Sequence, residues 1–125
     1  MPRVLIADDE ESMRTLVARA IAMDGHAIVT AEDGAEALEI LTRENGAFDL
    51  LLTDIKMPVM DGIALALAVA RDFPDLTILL MTGFADQRER AHGLNAIVHD
   101  VVTKPFSVAD IRTAVADALA AKKAG

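Results

Sequence analysis

Five short apolar runs alternate along the chain with stretches in which apolar residues recur at helical spacing. The runs occupy residues 4–7, 27–30, 50–53, 77–81 and 101–103. Strands that alternate with helices predict a parallel sheet with helices on both faces. We therefore expect an α/β fold of the flavodoxin-like type, a three-layer sandwich of a five-stranded parallel sheet and five helices. The second run is the weakest and suits an edge strand, which fits the strand order 2-1-3-4-5.

Polar residues at helix starts predict where two of the helices begin. Asp33 with Glu36, and Ser107 with Asp110, have the spacing of a capping box. The apolar residues of the first helix, Leu16 among them, have the spacing of an amphipathic helix that packs on the sheet. The helices are expected at residues 12–23, from 33 to about 45, 63–72, 85–95 and from 107 onwards.

Composition excludes several classes of function. A net charge of −8 repels phosphate backbones, so we expect no nucleic-acid partner. The chain has no cysteine, which excludes disulfides and thiolate metal sites. No run is long enough to span a membrane, and the N-terminus lacks the pattern of a signal peptide. We therefore expect a cytoplasmic protein without a membrane partner.

Four of the five apolar runs end in reactive polar residues. These are Asp8 and Asp9 after the first run, Asp54 after the third, Thr82 after the fourth and Lys104 after the fifth. The carboxyl ends of parallel strands share one edge of the sheet, where α/β proteins carry their chemistry. The order 2-1-3-4-5 places the three aspartates at the topological switch point between the first and third strands.

Three neighbouring carboxylates either take up protons or bind a cation. Two of them about 4 Å apart repel by roughly 4 kcal/mol at an effective dielectric near 20. Asp8, Asp9 and Asp54 offer oxygen ligands alone, which suits Mg²⁺ on a partly open site. Asp54 can then act as a carboxylate nucleophile for a phosphoryl group, with Lys104 and Thr82 as a cation and a hydroxyl donor.

Each of these residues has a plainer interpretation when it is taken alone. Asp8 and Asp9 could cap the first helix, Asp54 could be a turn residue and Lys104 a solvated lysine. Gly62 could be a turn glycine with a positive φ. Together, however, the plainer interpretations require four strand ends to meet by chance.

The residues resemble the receiver domain of bacterial two-component response regulators, over essentially the whole chain. The matching stretches are VLIADDE at residues 4–10, LTD at 52–54, MPVMDG at 57–62, MTG at 81–83 and TKPF at 103–106. By this resemblance Asp54 is the phosphoacceptor. Asp9 and Asp54 bind Mg²⁺ directly, Asp8 assists through water, and the backbone carbonyl of Lys56 is a further ligand.

The resemblance also implies roles on the other side of the site. Lys104 and Thr82 contact the phosphoryl group, and the peptide between Lys104 and Pro105 is cis. The phosphoryl donor is a phosphohistidine on a sensor histidine kinase or a histidine phosphotransferase.

Two departures from the family pattern concern the output. Val101 stands where the family usually has Tyr or Phe, three residues before the lysine. Gly83 stands where Ala is common after Thr82, and Phe84 follows it. The usual coupling between the threonine and a moving aromatic ring is therefore altered, and we assign Val101 and Phe84 to the switch.

The resemblance further suggests how the signal leaves the chain. We expect residues 1–125 to be a single receiver domain without an output domain, so that output passes through a protein partner. The loop 82–85 together with Val101 is similar to the CpdR group of single-domain regulators of alphaproteobacteria. Members of that group act in cell-cycle control as adaptors for the ClpXP protease, and phosphorylation silences them.

Two other functions are compatible with the same residues. One is a Mg²⁺-dependent phosphatase with an aspartate nucleophile, of the haloacid dehalogenase type. That family keeps its nucleophile on the first strand with a second Asp two residues later, whereas this chain has Glu10 there. The other is a receiver-like adaptor that binds its partner without phosphorylation.

Overall fold

The structure is a computed structural model that describes residues 1–83 and 93–124. Strands and helices alternate up to residue 82, as the apolar runs predicted, and one further strand and helix follow residue 93. The elements are β1 (Arg3–Ala7), α1 (Glu11–Ala22), β2 (Ala27–Ala31), α2 (Gly34–Arg43), β3 (Leu50–Asp54), α3 (Gly62–Asp72), β4 (Thr77–Thr82), β5 (Asp100–Thr103) and α4 (Val108–Ala124).

The described residues contain four helices, where the sequence predicted five. The helix expected within residues 85–95 falls mainly on residues 84–92, which lie outside the described part of the chain. Residues 93–97, which follow, form turns that lead towards β5. Among the described helices, none has both the length and the apolar character needed to cross a membrane.

The five strands form one parallel sheet in the order β2-β1-β3-β4-β5, which confirms the predicted topology. All five residues of the central strand β3 are buried, as expected for a strand covered on both faces. The edge strand β2 is mostly half-buried. The sheet order places the ends of β1 and β3 side by side, with Ala7 opposite Thr53.

Alternate residues of each strand supply two separate cores, one on each face of the sheet. Strand β1 sends Leu5 and Ala7 into the cluster beneath α2 and α3, which we call the α2–α3 core. It sends Val4 and Ile6 into the cluster beneath α1 and α4, the α1–α4 core. This period of two is the signature of a strand with apolar neighbours on both sides.

Two positions of helix α1 have a burial that the apolar pattern does not indicate. Leu16, predicted as part of the inward face, is 45% exposed. Arg14, three residues before the fully buried Val17, has a side chain that is only 15% exposed. The buried side of α1 is therefore narrower than its apolar pattern indicates, and a charged residue lies beside it.

Side-chain caps begin the other helices. Asp33 accepts a hydrogen bond from the Glu36 N–H at 2.8 Å, and Ser107 and Asp110 exchange reciprocal bonds of 3.0 Å. The Ser107 capping box thus has the predicted form. The one at Asp33 differs in detail, because the Glu36 carboxylate accepts from the N–H of Glu32 rather than of Asp33, at 3.3 Å.

The loop between β3 and α3, residues 55–61, is held by backbone contacts at two glycines. The Gly62 N–H donates to the Ile55 carbonyl at 2.8 Å, and the Gly34 N–H donates to the Met60 carbonyl at 3.1 Å. A Cβ atom at Gly62 would collide with the Asp54 carbonyl oxygen, and one at Gly34 with the Met60 carbonyl oxygen. Glycine is needed here for close approach of two backbones, since neither residue has a positive φ.

The positive φ in this loop belongs instead to Val59, at 68°. A β-branched residue in the left-handed region is strained, and Val59 is also 86% exposed. The possibility that Gly62 serves as a turn residue with positive φ is therefore wrong.

We predict that Gly62→Ala lowers the free energy of unfolding by about 2 kcal/mol, the usual size for an overpacked site. The added methyl group can be accommodated only if the backbone of Asp54 and Ile55 shifts. The matched control is Gly93→Ala, because a Cβ atom at Gly93 meets nothing within 4 Å. Urea unfolding of the two variants measures the difference, and equal stabilities would contradict the close-approach argument.

Candidate functional site

The carboxyl ends of four strands form one edge of the sheet, which we call the rim, and the predicted site residues lie on it. Asp8 and Asp9 follow β1, Asp54 ends β3, Thr82 ends β4 and Lys104 follows β5. Oxygen atoms of the three aspartates all lie within 4.8 Å of one another. The predicted acidic cluster is thus present in the described part of the chain.

Asp8 is held by hydrogen bonds that leave one oxygen aimed into the cluster. Its N–H donates to the Ala31 carbonyl at 3.1 Å, and its Oδ1 accepts from the Glu10 N–H at 3.0 Å. Its Oδ2 is buried without a hydrogen-bond partner among the described residues. A buried carboxylate oxygen in this state is ready to accept a cation.

Neither Asp8 nor Asp9 caps α1, which removes the plainer interpretation of that pair. The N-cap residue of α1 is Glu10, and no side-chain capping bond is present there. The Glu10 carboxylate instead accepts from the Ser12 hydroxyl at 2.8 Å. Glu10 therefore stands apart from the acidic cluster.

Asp54 is almost completely buried yet reaches the rim. It is 8% exposed, and its Oδ1 accepts a hydrogen bond from the Ile55 N–H at 2.9 Å. Its Oδ2 faces the Lys104 ammonium at 3.4 Å. One oxygen is thus fixed by the backbone, and the other meets a cation.

Lys104 contacts two of the acids from the β5 side of the rim. Its Nζ lies 3.4 Å from Asp54 Oδ2 and 3.8 Å from Asp8 Oδ2, and its side chain is 19% exposed. The Lys104 N–H donates to the Thr82 carbonyl at 2.7 Å, which ties the end of β5 to β4. The peptide between Lys104 and Pro105 is cis.

Burial makes the charged form of two acids unfavourable. Loss of solvation raises the pKa of Asp8 from 3.8 to about 6, against the lowering effects of the Glu10 N–H and Lys104. Burial also raises the pKa of Asp54, although Lys104 and the Ile55 N–H act in the opposite direction. Lys104 and the backbone hydrogen bonds therefore do not fully offset the loss of solvation at these two acids.

These donors fit a hard divalent cation. They are carboxylate oxygens, one of them without a hydrogen-bond partner, and Asp9 leaves the cluster open to solvent because its side chain is exposed. Mg²⁺ prefers oxygen ligands and retains water molecules at such open positions. Lys56 lies two residues after Asp54 with an exposed side chain, and the role of its carbonyl stays a prediction.

The predicted switch residues occupy different environments. Thr82 is fully buried at the end of β4, where it pairs with Thr103. Val101 lies opposite Leu80 on the neighbouring strand and packs, half-buried, against the α2–α3 core. Phe84 lies outside the described residues.

Sequence reasoning missed one residue that contacts the acidic loop. The Arg14 guanidinium donates from Nη1 to the Asp8 carbonyl oxygen at 2.9 Å, and its Nη2 lies 3.8 Å from Glu32 Oε1. The available signal was its place in the helix, since Arg14 precedes the buried residues Val17 and Ile21 by three and seven positions. A charged side chain on the buried side of a helix needs a polar partner there.

Comparison with known proteins identifies the family. Residues 4–116 match the family model described as the response regulator receiver domain. The chain belongs to this family, whose members act as phosphoacceptors in phosphorelay signalling and bind Mg²⁺ at an acidic pocket.

Three relatives show how the domain occurs in longer and shorter proteins. The response regulator receiver protein CpdR of Brucella abortus is 39% identical over 111 residues, which cover 89% of this chain and 91% of that one. The response regulator MprA of Mycobacterium leprae is 33% identical over 87% of this chain and 47% of its own. The sensor histidine kinase TmoS of Ectopseudomonas mendocina is 35% identical over 99% of this chain and 13% of its own. The chain therefore spans less than half the length of some relatives and nearly all of another.

Solved structures agree with the fold. A response regulator receiver domain protein of Clostridium thermocellum superposes with a TM-score of 0.89 at 24% identity, over 98% of both chains. The response regulator TrrA of Thermotoga maritima, solved in complex with Mg²⁺ and beryllofluoride, has a TM-score of 0.81 at 30% identity over 94% of this chain and 98% of its own.

We predict that Asp8→Asn stabilises the cation-free protein by about 1 to 2 kcal/mol at about pH 8, because it removes a charge that burial makes unfavourable, on a carboxylate whose Oδ2 accepts no hydrogen bond. The folded pKa of Asp8 lies above its ordinary value of 3.8. The contribution of Asp8 to the free energy of unfolding of the wild type is therefore greatest below pH 3.8, and it is lost as the pH rises through about 6. The advantage of Asp8→Asn should grow over the same range.

Added Mg²⁺ should reverse the order of the two proteins. At a hundred times its dissociation constant, the ion stabilises the wild type by about 2.7 kcal/mol, which exceeds the advantage of Asp8→Asn. Asp8→Asn should gain far less. The measurement is urea unfolding with EDTA or MgCl₂, with Asp117→Asn as a control that removes an exposed acid from α4. An equal response to Mg²⁺ in all three proteins would contradict the assignment of Asp8 to the cation site.

Proposed function

We propose that Asp54 accepts a phosphoryl group from a phosphohistidine, and that this change controls the binding of a protein partner. The observation that carries the proposal is the position of Asp54 Oδ2. It lies at a buried strand end, 3.4 Å from the Lys104 ammonium, and the Asp54 carboxylate has an oxygen within 4.8 Å of an oxygen of Asp8 and of Asp9. Such a carboxylate is oriented for attack and has charge-neutralising groups around it.

In the transfer step an oxygen of Asp54 forms a bond to phosphorus. The bond between phosphorus and the imidazole nitrogen breaks, and the imidazole keeps the electron pair and takes up a proton. Lys104 stabilises the negative charge on the transferred group, and the Thr82 hydroxyl donates to one of its oxygens. A sensor histidine kinase or a histidine phosphotransferase supplies the phosphohistidine.

The cation site completes this arrangement. Asp9 and Asp54 would hold Mg²⁺ directly, Asp8 would act through water, and the Lys56 backbone carbonyl would provide another ligand. When bound, the ion neutralises charge on the phosphoryl oxygens and on the acidic cluster. Support comes from the acidic oxygens themselves and from TrrA, a relative solved with Mg²⁺ and beryllofluoride.

The altered switch residue affects how the signal reaches a partner. Val101 has a short, β-branched side chain that packs against the α2–α3 core, so no ring is available there to move between buried and exposed positions. We therefore propose that phosphorylation acts through backbone movement of the loops that carry Thr82 and Lys104. Phe84, the other residue assigned to the switch, lies two residues after Thr82 in the sequence.

A protein partner is proposed from the relatives. CpdR of Brucella abortus matches this chain over 91% of its own length. On that basis the chain would act as a CpdR-like adaptor in the cytoplasm, and the ClpXP protease is the first partner to test. A pull-down that compares the phosphorylated and unphosphorylated forms would identify the form that binds.

The phosphatase alternative fits the described residues less well. It requires an acid two residues after the first-strand nucleophile that points into the site, and Glu10 bonds to Ser12 instead. Catalytic turnover of phosphate esters by the wild type would nevertheless favour it. Partner binding that ignores phosphodonors and survives in Asp54→Ala would favour an adaptor that works without phosphorylation.

We predict that beryllofluoride with Mg²⁺ changes the amide spectrum of the wild type and leaves that of Asp54→Ala almost unchanged. Beryllofluoride binds an aspartate oxygen and imitates the phosphoryl group, so its effect requires the acceptor carboxylate. Nuclear magnetic resonance measures the change. The control is Asp75→Ala, which removes an exposed acid from the connection between α3 and β4. A full response in Asp54→Ala would overturn the assignment of the acceptor.

A second prediction concerns Lys104. Lys104→Met should bind Mg²⁺ more tightly than the wild type, because it removes a cation 3.8 Å from Asp8 Oδ2 and 3.4 Å from Asp54 Oδ2. It should also accept phosphoryl groups more slowly, by about a hundredfold for the loss of one oriented charge. Calorimetry measures the first quantity and phosphorylation by acetyl phosphate the second. Arg19→Met, on the exposed side of α1, is the control, and weaker Mg²⁺ binding by Lys104→Met would contradict the competition.

A further inference from the structure

Arg14 lies beside the acidic cluster without touching a carboxylate of it. Its Nη1 donates to the backbone carbonyl of Asp8 at 2.9 Å, and its side chain is 15% exposed. That carbonyl belongs to the peptide that joins Asp8 to Asp9. Arg14 therefore holds the short piece of backbone from which two of the three acids project.

The Asp8 backbone is fixed on both sides by this contact and one other. The Asp8 N–H donates to the Ala31 carbonyl of β2 at 3.1 Å, and its carbonyl accepts from Arg14. Two bonds of this kind set the direction in which the Asp8 and Asp9 side chains leave the chain. Without Arg14, the peptide after Asp8 would lose its bond on the α1 side.

The second end of the guanidinium reaches a neighbouring loop. Nη2 lies 3.8 Å from Oε1 of Glu32, whose side chain is 72% exposed. An exposed pair of this kind contributes little energy by itself. The contact of Arg14 that bears on the acidic cluster is therefore the bond from Nη1 to the Asp8 carbonyl.

Arg14 and Lys104 act on the cluster in different ways. Lys104 places its ammonium 3.8 Å from Asp8 Oδ2, the oxygen that a bound cation would also need. Arg14 bonds to a backbone oxygen, so it contributes positive charge without occupying a carboxylate oxygen. Lys104 thus competes with a cation, whereas Arg14 prepares the ligands for it.

We propose that Arg14 is a positioning residue that raises the affinity of the Asp8, Asp9 and Asp54 cluster for a divalent cation. This role rests on the cation site in the proposed function, and it adds a residue that contacts neither the ion nor the phosphoryl group. Residues that orient metal ligands typically change metal affinity by about 10- to 100-fold when they are replaced.

The test measures Mg²⁺ binding to the full chain by calorimetry, and Mn²⁺ binding by electron paramagnetic resonance. Arg14→Met should weaken both by about tenfold. Arg14→Lys should recover part of the affinity, since its ammonium can donate to the same carbonyl. Arg19→Met, which removes an exposed arginine from the same helix, should bind as the wild type does.

A spectroscopic measurement separates positioning from a loss of stability. The amide nitrogen of Asp9 senses the hydrogen bond at the Asp8 carbonyl, so its resonance should shift in cation-free Arg14→Met and return towards the wild-type value in Arg14→Lys. Urea unfolding of both variants shows how much stability each has lost. Arg14→Gln, which keeps a donor without the charge, is the second variant if Arg14→Met fails to fold.

Two results would overturn the proposal, and they differ. Arg14→Met or Arg14→Gln that bind Mg²⁺ as tightly as the wild type would remove the role of Arg14 and leave the cation site intact. A wild type that binds neither Mg²⁺ nor Mn²⁺ would remove the site itself and the role of Arg14 with it. Lys104→Met should bind Mg²⁺ more tightly than the wild type, and Arg14→Met should bind it more weakly. Because both variants remove one positive charge, opposite changes in Mg²⁺ affinity would exclude a general effect of charge removal.

Discussion

The burial of neighbouring carboxylates at the end of a parallel sheet is the constraint on which the rest of the site depends. Asp8 and Asp54 are buried, so water screens their charges poorly. Carboxylate oxygens of these two residues and of Asp9 lie within 4.8 Å of one another. Hydrogen bonds from the Glu10 and Ile55 N–H groups hold one oxygen of each buried acid. The remaining oxygen of each, Oδ2, faces the Lys104 ammonium, at 3.8 Å for Asp8 and 3.4 Å for Asp54, so one lysine serves two buried acids.

Fold and chemistry are linked through the strand order. Parallel strands present their carboxyl ends at one edge, so residues that are far apart in the sequence become neighbours without any long-range motif. The order observed in the sheet puts β1 beside β3, and with them Asp8 beside Asp54. Lys104 follows β5, and β4 lies between β5 and β3. Its long side chain reaches past β4 and places the ammonium 3.4 Å from Asp54 Oδ2.

Much of this was accessible from the sequence, and the parts that were not share a physical cause. Apolar runs and their polar endings predicted the strand order and the meeting of Asp8, Asp54 and Lys104, because both follow from backbone periodicity and the parallel connection. Arg14 was missed because a helical pattern assigns charged residues to the solvent side, whereas its partner is a backbone carbonyl that no pattern displays. Leu16 was misplaced because the spacing of apolar residues does not give the width of the buried stripe.

The two glycines whose backbones contact the loop after Asp54 affect which residues of that loop can be substituted. Gly62 and Gly34 hold the loop through backbone contacts with Ile55 and Met60, while the side chain of Val59 points almost wholly into solvent. The exposed side chain at this position can therefore change its chemical character by substitution while Asp54 keeps its place. Substitutions in this loop can therefore change the surface that a partner would contact without changing the position of the carboxylate.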